Sequence, residues 1–124
     1  MSQPKKIIVV EDDVMLLKAL KVVLLNKGYE VLSASDGLEA EKLIKDKVPD
    51  CVLLDITLPS KTGFEILEAL RADEKTKHVP VVILSNMGQD ADIKKGKELG
   101  AQDYFIKSNT DIDKVTEKIE KYIK

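Results

Sequence analysis

The sequence predicts an α/β domain, a doubly wound (βα)5 arrangement around a five-stranded parallel sheet, and three observations predict it. Short apolar runs alternate with segments of helical period from one end of the chain to the other, the pattern of parallel strands joined by crossover helices. The runs IIVV, VLL and VVIL lack polar alternation, as strands buried on both faces require. Charged or hydroxyl residues stand directly behind the apolar runs, at Glu11 and Asp12, Asp55, Ser85 and Lys107.

The elements follow in order. Lys6–Val10 is the first strand, and Asp13 opens the next helix, as N-cap or first-turn acid ahead of the stripe Leu17, Leu20 and Leu24. Gly28 suits the end of that helix. Glu30–Ala34 is a second strand of mixed polarity, better placed at an edge, and Asp36 with Glu39 has capping-box spacing for the helix behind it. Asp50–Leu54 is a central third strand, followed by a second pair at capping-box spacing, Thr62 and Glu65. Val79–Leu84 is a central fourth strand, whose helix ends near Gly100. Tyr104–Ile106 is a short fifth strand at the other edge. In the final helix Ile112, Val115, Ile119 and Tyr122 recur at helical spacing, leaving Lys114, Glu117, Lys118 and Lys121 for a solvated face. Among the orders open to these runs, the flavodoxin-like 2-1-3-4-5 places both mixed strands at the edges.

A chain of 124 residues, 44% hydrophobic, suffices for one core and one domain spanning 1–124. The 20 basic and 22 acidic residues are spread along the chain and leave a net charge of -2, so no basic stripe points to nucleic acid. Cys51, the single cysteine, sits in the apolar run CVLL, where it excludes an internal disulfide and suits a reducing compartment. No apolar stretch reaches the roughly 20 residues that cross a bilayer, and the N-terminus is not a signal peptide. A cytoplasmic protein without membrane partners is expected.

In the order 2-1-3-4-5 the topological switch lies between the first and third strands, so Glu11, Asp12 and Asp55 converge in one crevice at the strand ends. Clustered carboxylates resist simultaneous ionisation unless a cation neutralises them. An all-oxygen set fits Mg²⁺, which is bound through one or two carboxylates plus a phosphate and keeps several waters, better than zinc. His78 has no second His or Cys nearby and reads as a surface loop residue. Ser85 and Lys107 are expected to line the same crevice, where a hydroxyl and an ammonium can hold phosphoryl oxygens. Asp55 could then attack phosphorus in line while Mg²⁺, Ser85 and Lys107 neutralise the equatorial oxygens.

VVEDD, LLDITLPSKTG, VVILS and YFIK, in this order and on these strands, resemble the CheY-like receiver domains of two-component response regulators, over essentially the whole chain. The resemblance implies that Asp55 is the phosphoacceptor and that Asp12 ligates Mg²⁺, or Mn²⁺ in its place, directly. Glu11 would act through water, and the Thr57 backbone carbonyl would be a further ligand. Pro59 and Gly63 match the loop that follows the acceptor. Lys107 matches the family lysine, Ser85 the switch hydroxyl and Tyr104 the switch aromatic, which turns inward on phosphorylation. A single receiver domain without an output domain, monomeric or weakly dimeric, is expected. Such a domain would be phosphorylated by a histidine kinase or histidine phosphotransfer protein. It would then signal to a downstream protein through the fourth helix, fifth strand and fifth helix, and catalyse only its own phosphorylation and dephosphorylation.

Three residues depart from the family pattern: Thr57, Asn86 and Ser108, which stands where a proline usually follows the lysine. A cis bond before a non-proline residue costs about 2.5–4 kcal/mol, so the loop after Lys107 is expected to differ. Three other functions fit the sequence less well. A pseudo-receiver that binds partners without phosphorylation is opposed by the intact acidic and basic positions. A flavoprotein is opposed by EDDV, which would repel a phosphate, and a phosphohydrolase by the lack of a substrate-specificity segment.

Overall fold

The computed structural model describes residues 3–123. Its elements run β1 (Lys6–Val10), α1 (Val14–Asn26), β2 (Glu30–Ala34), α2 (Gly37–Lys47), β3 (Cys51–Leu54), α3 (Gly63–Ala72), β4 (Val81–Ser85), α4 (Asp90–Glu98), β5 (Asp103–Ile106) and α5 (Ile112–Ile123). All strand pairs are parallel and the order is β2-β1-β3-β4-β5, the expected flavodoxin-like arrangement.

The unbroken apolar runs explain the layers. Successive strand residues face opposite sides, so Ile8, Val10, Val52, Leu54, Val81 and Ile83 join α2 and α3 in one core. Ile7, Val9, Cys51, Leu53, Val82 and Leu84 join Leu20 and Leu24 of α1 and Val115 and Ile119 of α5 in the other. Both edge strands are only partly covered, as their mixed sequences predict.

Boundaries moved where backbone donors were redirected. Strand β3 begins at Cys51 because the Asp50 carboxylate turns to accept the Lys6 N–H at 2.7 Å. Strand β4 begins two residues later than expected, since Pro80 has no N–H and the Val79 N–H is taken by the Thr76 carbonyl at 3.0 Å. It also runs one residue further, to Ser85, which pairs with Ile106. Strand β5 starts at Asp103.

Asp13 is the N-cap of α1, accepting from the N–H groups of Met15 and Leu16 at 3.0 and 3.2 Å. Thr62 and Glu65 form the full reciprocal box. Asp36 caps α2, but its partner beyond the helix is Ser60 rather than Glu39's side chain. Gly28 and Gly100 take φ of +92° and +109° at helix ends, the left-handed region glycine tolerates. Helix α2 ends instead on Val48, a β-branched residue at φ +41°.

One arginine side chain, unanticipated from sequence, fastens two loops. Arg71 of α3 donates to the carbonyls of Val79 and Gly100, each at 2.8 Å, and to that of Lys77 at 3.1 Å. It joins the α3–β4 and α4–β5 connections at the sheet edge opposite the carboxylates.

Candidate functional site

Parallel strands place everything that follows them at one edge of the sheet, and β1 and β3 are neighbours with Val10 in register with Leu54. Glu11 and Asp55 therefore emerge side by side. The Asp55 N–H donates to the Val10 carbonyl at 3.0 Å, and the Glu11 N–H to the Ala34 carbonyl at 3.0 Å. Glu11, Asp12 and Asp55 each bring a carboxylate oxygen within 4.8 Å of the others.

Lys107 reaches into this cluster from the end of β5. Its Nζ lies 2.9 Å from Asp55 Oδ2 and 2.9 and 3.0 Å from the two Glu11 oxygens. Glu11 is 2% exposed and Asp55 4%, so both carboxylates rely on fixed donors in place of water. Asp55 Oδ1 accepts from the Ile56 N–H at 2.7 Å and the Thr57 N–H at 3.3 Å, and Glu11 Oε2 from the Asp13 N–H at 3.0 Å. Burial pushes the Glu11 carboxyl above its usual range, although Lys107 and the Asp13 N–H pull the other way. Burial works to lower Lys107 as well, but hydrogen bonds to Glu11 and Asp55 and their charges outweigh it and hold the ammonium above the ordinary lysine range.

Asp12 is exposed, and with Asp13, Asp55, Thr57, Asn86 and Lys107 it lines a cavity of about 340 Å³. That volume takes a tetrahedral phosphoryl group with several waters, each of which occupies roughly 30 Å³. Three carboxylates face one ammonium, which leaves negative charge in excess, and every donor at the mouth is oxygen. This donor set fits a hard divalent cation such as Mg²⁺.

The structure brings the expected residues together with different duties. Asp12, Asp55, Thr57 and Lys107 line the cavity, while Glu11 is folded under Lys107 as its counter-charge. Ser85, expected on the crevice wall, is fully buried instead. It closes β4, paired with Ile106, and its Oγ accepts the Met87 N–H at 3.1 Å. Tyr104 lies inward, its hydroxyl donating to the Met87 carbonyl. Its ring packs on Gly96 of α4, where a Cβ would come within 2.9 Å. His78 is exposed. The Lys107–Ser108 bond is trans, and Lys107–Asn109 form a short 3₁₀ turn. Asp13 serves the cavity as well as the cap, a double role that residue spacing alone did not separate.

Known proteins share this fold and part of this sequence. The family model of the response regulator receiver domain matches residues 7–120. A probable transcriptional regulator ycf27 of Guillardia theta is 39% identical over 103 residues, covering 83% of this chain and 39% of that protein. The DNA-binding dual master transcriptional regulator RpaA of Synechocystis is 35% identical over 102 residues, covering 82% and 42%. This chain thus spans about two fifths of the length of these relatives. The crystal structure of a putative response regulator from Chloroflexus aurantiacus superposes with a TM-score of 0.89 at 29% identity, covering 97% of this chain and 98% of that one. Since one relative is named as DNA-binding, the expectation that nucleic acid is not a partner, drawn from charge alone, finds no support here. No helix among the described residues is long and apolar enough to cross a membrane.

Proposed function

The chain belongs to the response regulator receiver domain family, signalling switches of two-component systems, and from that premise we propose that Asp55 accepts a phosphoryl group in a divalent-cation-dependent reaction. The observation that carries the reading is Asp55 itself: a nearly buried carboxylate held by two backbone N–H groups and Lys107, opening onto a phosphoryl-sized cavity beside two further acids. Asp12, Asp55 and the Thr57 carbonyl would hold Mg²⁺ or Mn²⁺, with Glu11 acting through water. The bound ion would supply positive charge opposite the phosphoryl oxygens.

The chain's own residues do the rest. An Asp55 oxygen attacks phosphorus in line, forming the P–O bond as the P–N bond of a donor phosphohistidine breaks, and the departing imidazole keeps or takes up a proton from solvent. The donor is a histidine kinase or histidine phosphotransfer protein. Lys107, already 2.9 Å from Asp55, pairs with the charge gained. Dephosphorylation is attack of water on the same phosphorus, releasing inorganic phosphate and restoring the carboxylate.

The switch runs through one residue, Met87. The Met87 N–H is held by Ser85 and the Met87 carbonyl by Tyr104, so drawing the Ser85 hydroxyl to a phosphoryl oxygen shifts the anchor of Tyr104. Tyr104 packs on α4, and the α4, β5 and α5 face would carry the change to a downstream protein.

Intact mass after incubation with acetyl phosphate and Mg²⁺ tests the chemistry. Wild type gains one alkali-labile phosphoryl group, while Asp55→Asn and a chelator-treated sample gain none. Absence of the adduct in wild type with metal binding demonstrated would refute phosphorylation and leave a constitutive interaction module.

A further inference from the structure

The loop from Asp55 to Thr62 carries the donors to Asp55 and the Thr57 carbonyl, yet few of its side chains reach the core. It is pinned from outside by the N-terminus of α2. Ser60 Oγ donates to Asp36 Oδ1 at 2.8 Å and accepts the Leu38 N–H at 3.1 Å. The Gly37 N–H donates to the Pro59 carbonyl at 2.9 Å. Lys61 pairs with Glu41 one turn further along α2, and Glu41 is also held by Lys45 at 3.0 Å. The approach is so close that a Cβ on Gly37 would collide with the Lys61 carbonyl. Ser60 itself sits at φ +67°, a conformation L residues other than Asn and Asp rarely adopt, so surrounding contacts must hold it there.

These contacts come from α2 and its cap, 20 to 24 residues away in the chain, and converge on one short segment. A segment so fixed loses little further freedom when its carbonyl is recruited as a ligand, which is how preorganisation raises affinity. We infer that Asp36, Gly37, Glu41, Ser60 and Lys61 form a clasp that positions the loop after Asp55, making α2 part of the machinery that sets cation affinity. Ser60 and Asp36 are positioning residues and touch neither the cation nor the phosphoryl group. The inference rests on the receiver reading above only through the cation; the ordering of the loop stands apart from it.

The test is Mg²⁺ titration by calorimetry together with amide hydrogen exchange. Ser60→Ala should weaken Mg²⁺ binding about fivefold, the scale of one net hydrogen bond. Ser60→Ala with Lys61→Met should weaken it further. Exchange at Ile56 and Thr57 should quicken in both. Ile44→Val, which loosens α2 in the core toward the end away from its cap, should bind within twofold of wild type, separating positioning from general destabilisation. Unchanged affinity in Ser60→Ala, or equal weakening in Ile44→Val, overturns the inference. If wild type itself binds no Mg²⁺, the receiver reading fails instead. The clasp is then judged by exchange alone, where unchanged rates at Ile56 and Thr57 overturn it and faster rates uphold it.

Discussion

Replacing Lys107 by Met removes the only ammonium that, among the described residues, contacts Glu11 and Asp55, while keeping most of the stem's volume. Glu11 at 2% exposure and Asp55 at 4% then face each other without a counter-charge. Breaking a buried pair by removing one partner costs about 3–5 kcal/mol. Lys107 is itself 16% exposed, and both carboxylates keep backbone donors, so the low end applies, about 3 kcal/mol, or roughly 10 °C in Tm for a domain of this size. The assay is urea unfolding at pH 8 in chelator and again in excess Mg²⁺. In chelator the variant should lose the full amount. In Mg²⁺ the gap to wild type should shrink, because a cation at the carboxylates replaces the missing charge and binds the more negative site more tightly. Adding Glu11→Gln should recover much of the loss, with a coupling of about 2 kcal/mol, since the lysine's chief partner has gone too. A variant as stable as wild type in chelator, or a gap indifferent to Mg²⁺, would refute the assignment of Lys107 as the site's internal counter-ion.

Three other outcomes are expected. Arg71→Met should destabilise by about 2 kcal/mol in chemical denaturation, through loss of its charged hydrogen bonds to Val79 and Gly100; Arg71→Lys should not rescue it, because one ammonium lacks the fork that reaches both loops. Val48→Gly should stabilise by roughly 0.5–1 kcal/mol, since Val48 holds φ +41° at the end of α2; a loss of stability would show that its side-chain packing outweighs the strain. Burial pushes the Cys51 thiol from 9.0 up to about 12. A raised folded pKa means that the neutral thiol's contribution is complete below pH 9, where unfolded cysteine is protonated too, and is lost as pH rises toward 12. By pH 10.5 that loss is about 2 kcal/mol, so a Cys51→Val variant should show a shallower alkaline decline than wild type in unfolding measured from pH 8 to 11; equal slopes would contradict it.

Much of this site was legible because strand ends in a parallel sheet are a fixed address. Asp55 and Lys107 each follow an apolar run directly, and the order of the runs alone brings them to one crevice. What residue types alone could not assign, and only the family resemblance divided, was the labour of the two adjacent acids. Glu11 and Asp12 are chemically alike and neighbours in the chain, yet one is buried beneath Lys107 and the other exposed at the cavity mouth, because successive residues leaving a strand face opposite ways and only one way leads to the lysine. The depth of Ser85 was likewise not legible, since one more residue of pairing with Ile106 keeps it in the strand, fully buried.

The clasp and the Arg71 tie were invisible for a different reason. Their acceptors are largely backbone carbonyls and an N-cap carboxylate already explained by its helix, and such groups carry no residue-type signature at any spacing. Arg71 is the only arginine in a chain rich in lysine, and that is the one trace composition offers. Sequence therefore reads the charged side chains at strand ends more readily than what holds the loops between them. In this chain the unread part includes the contacts of Ser60 and Lys61 with α2, which hold the segment that presents Thr57.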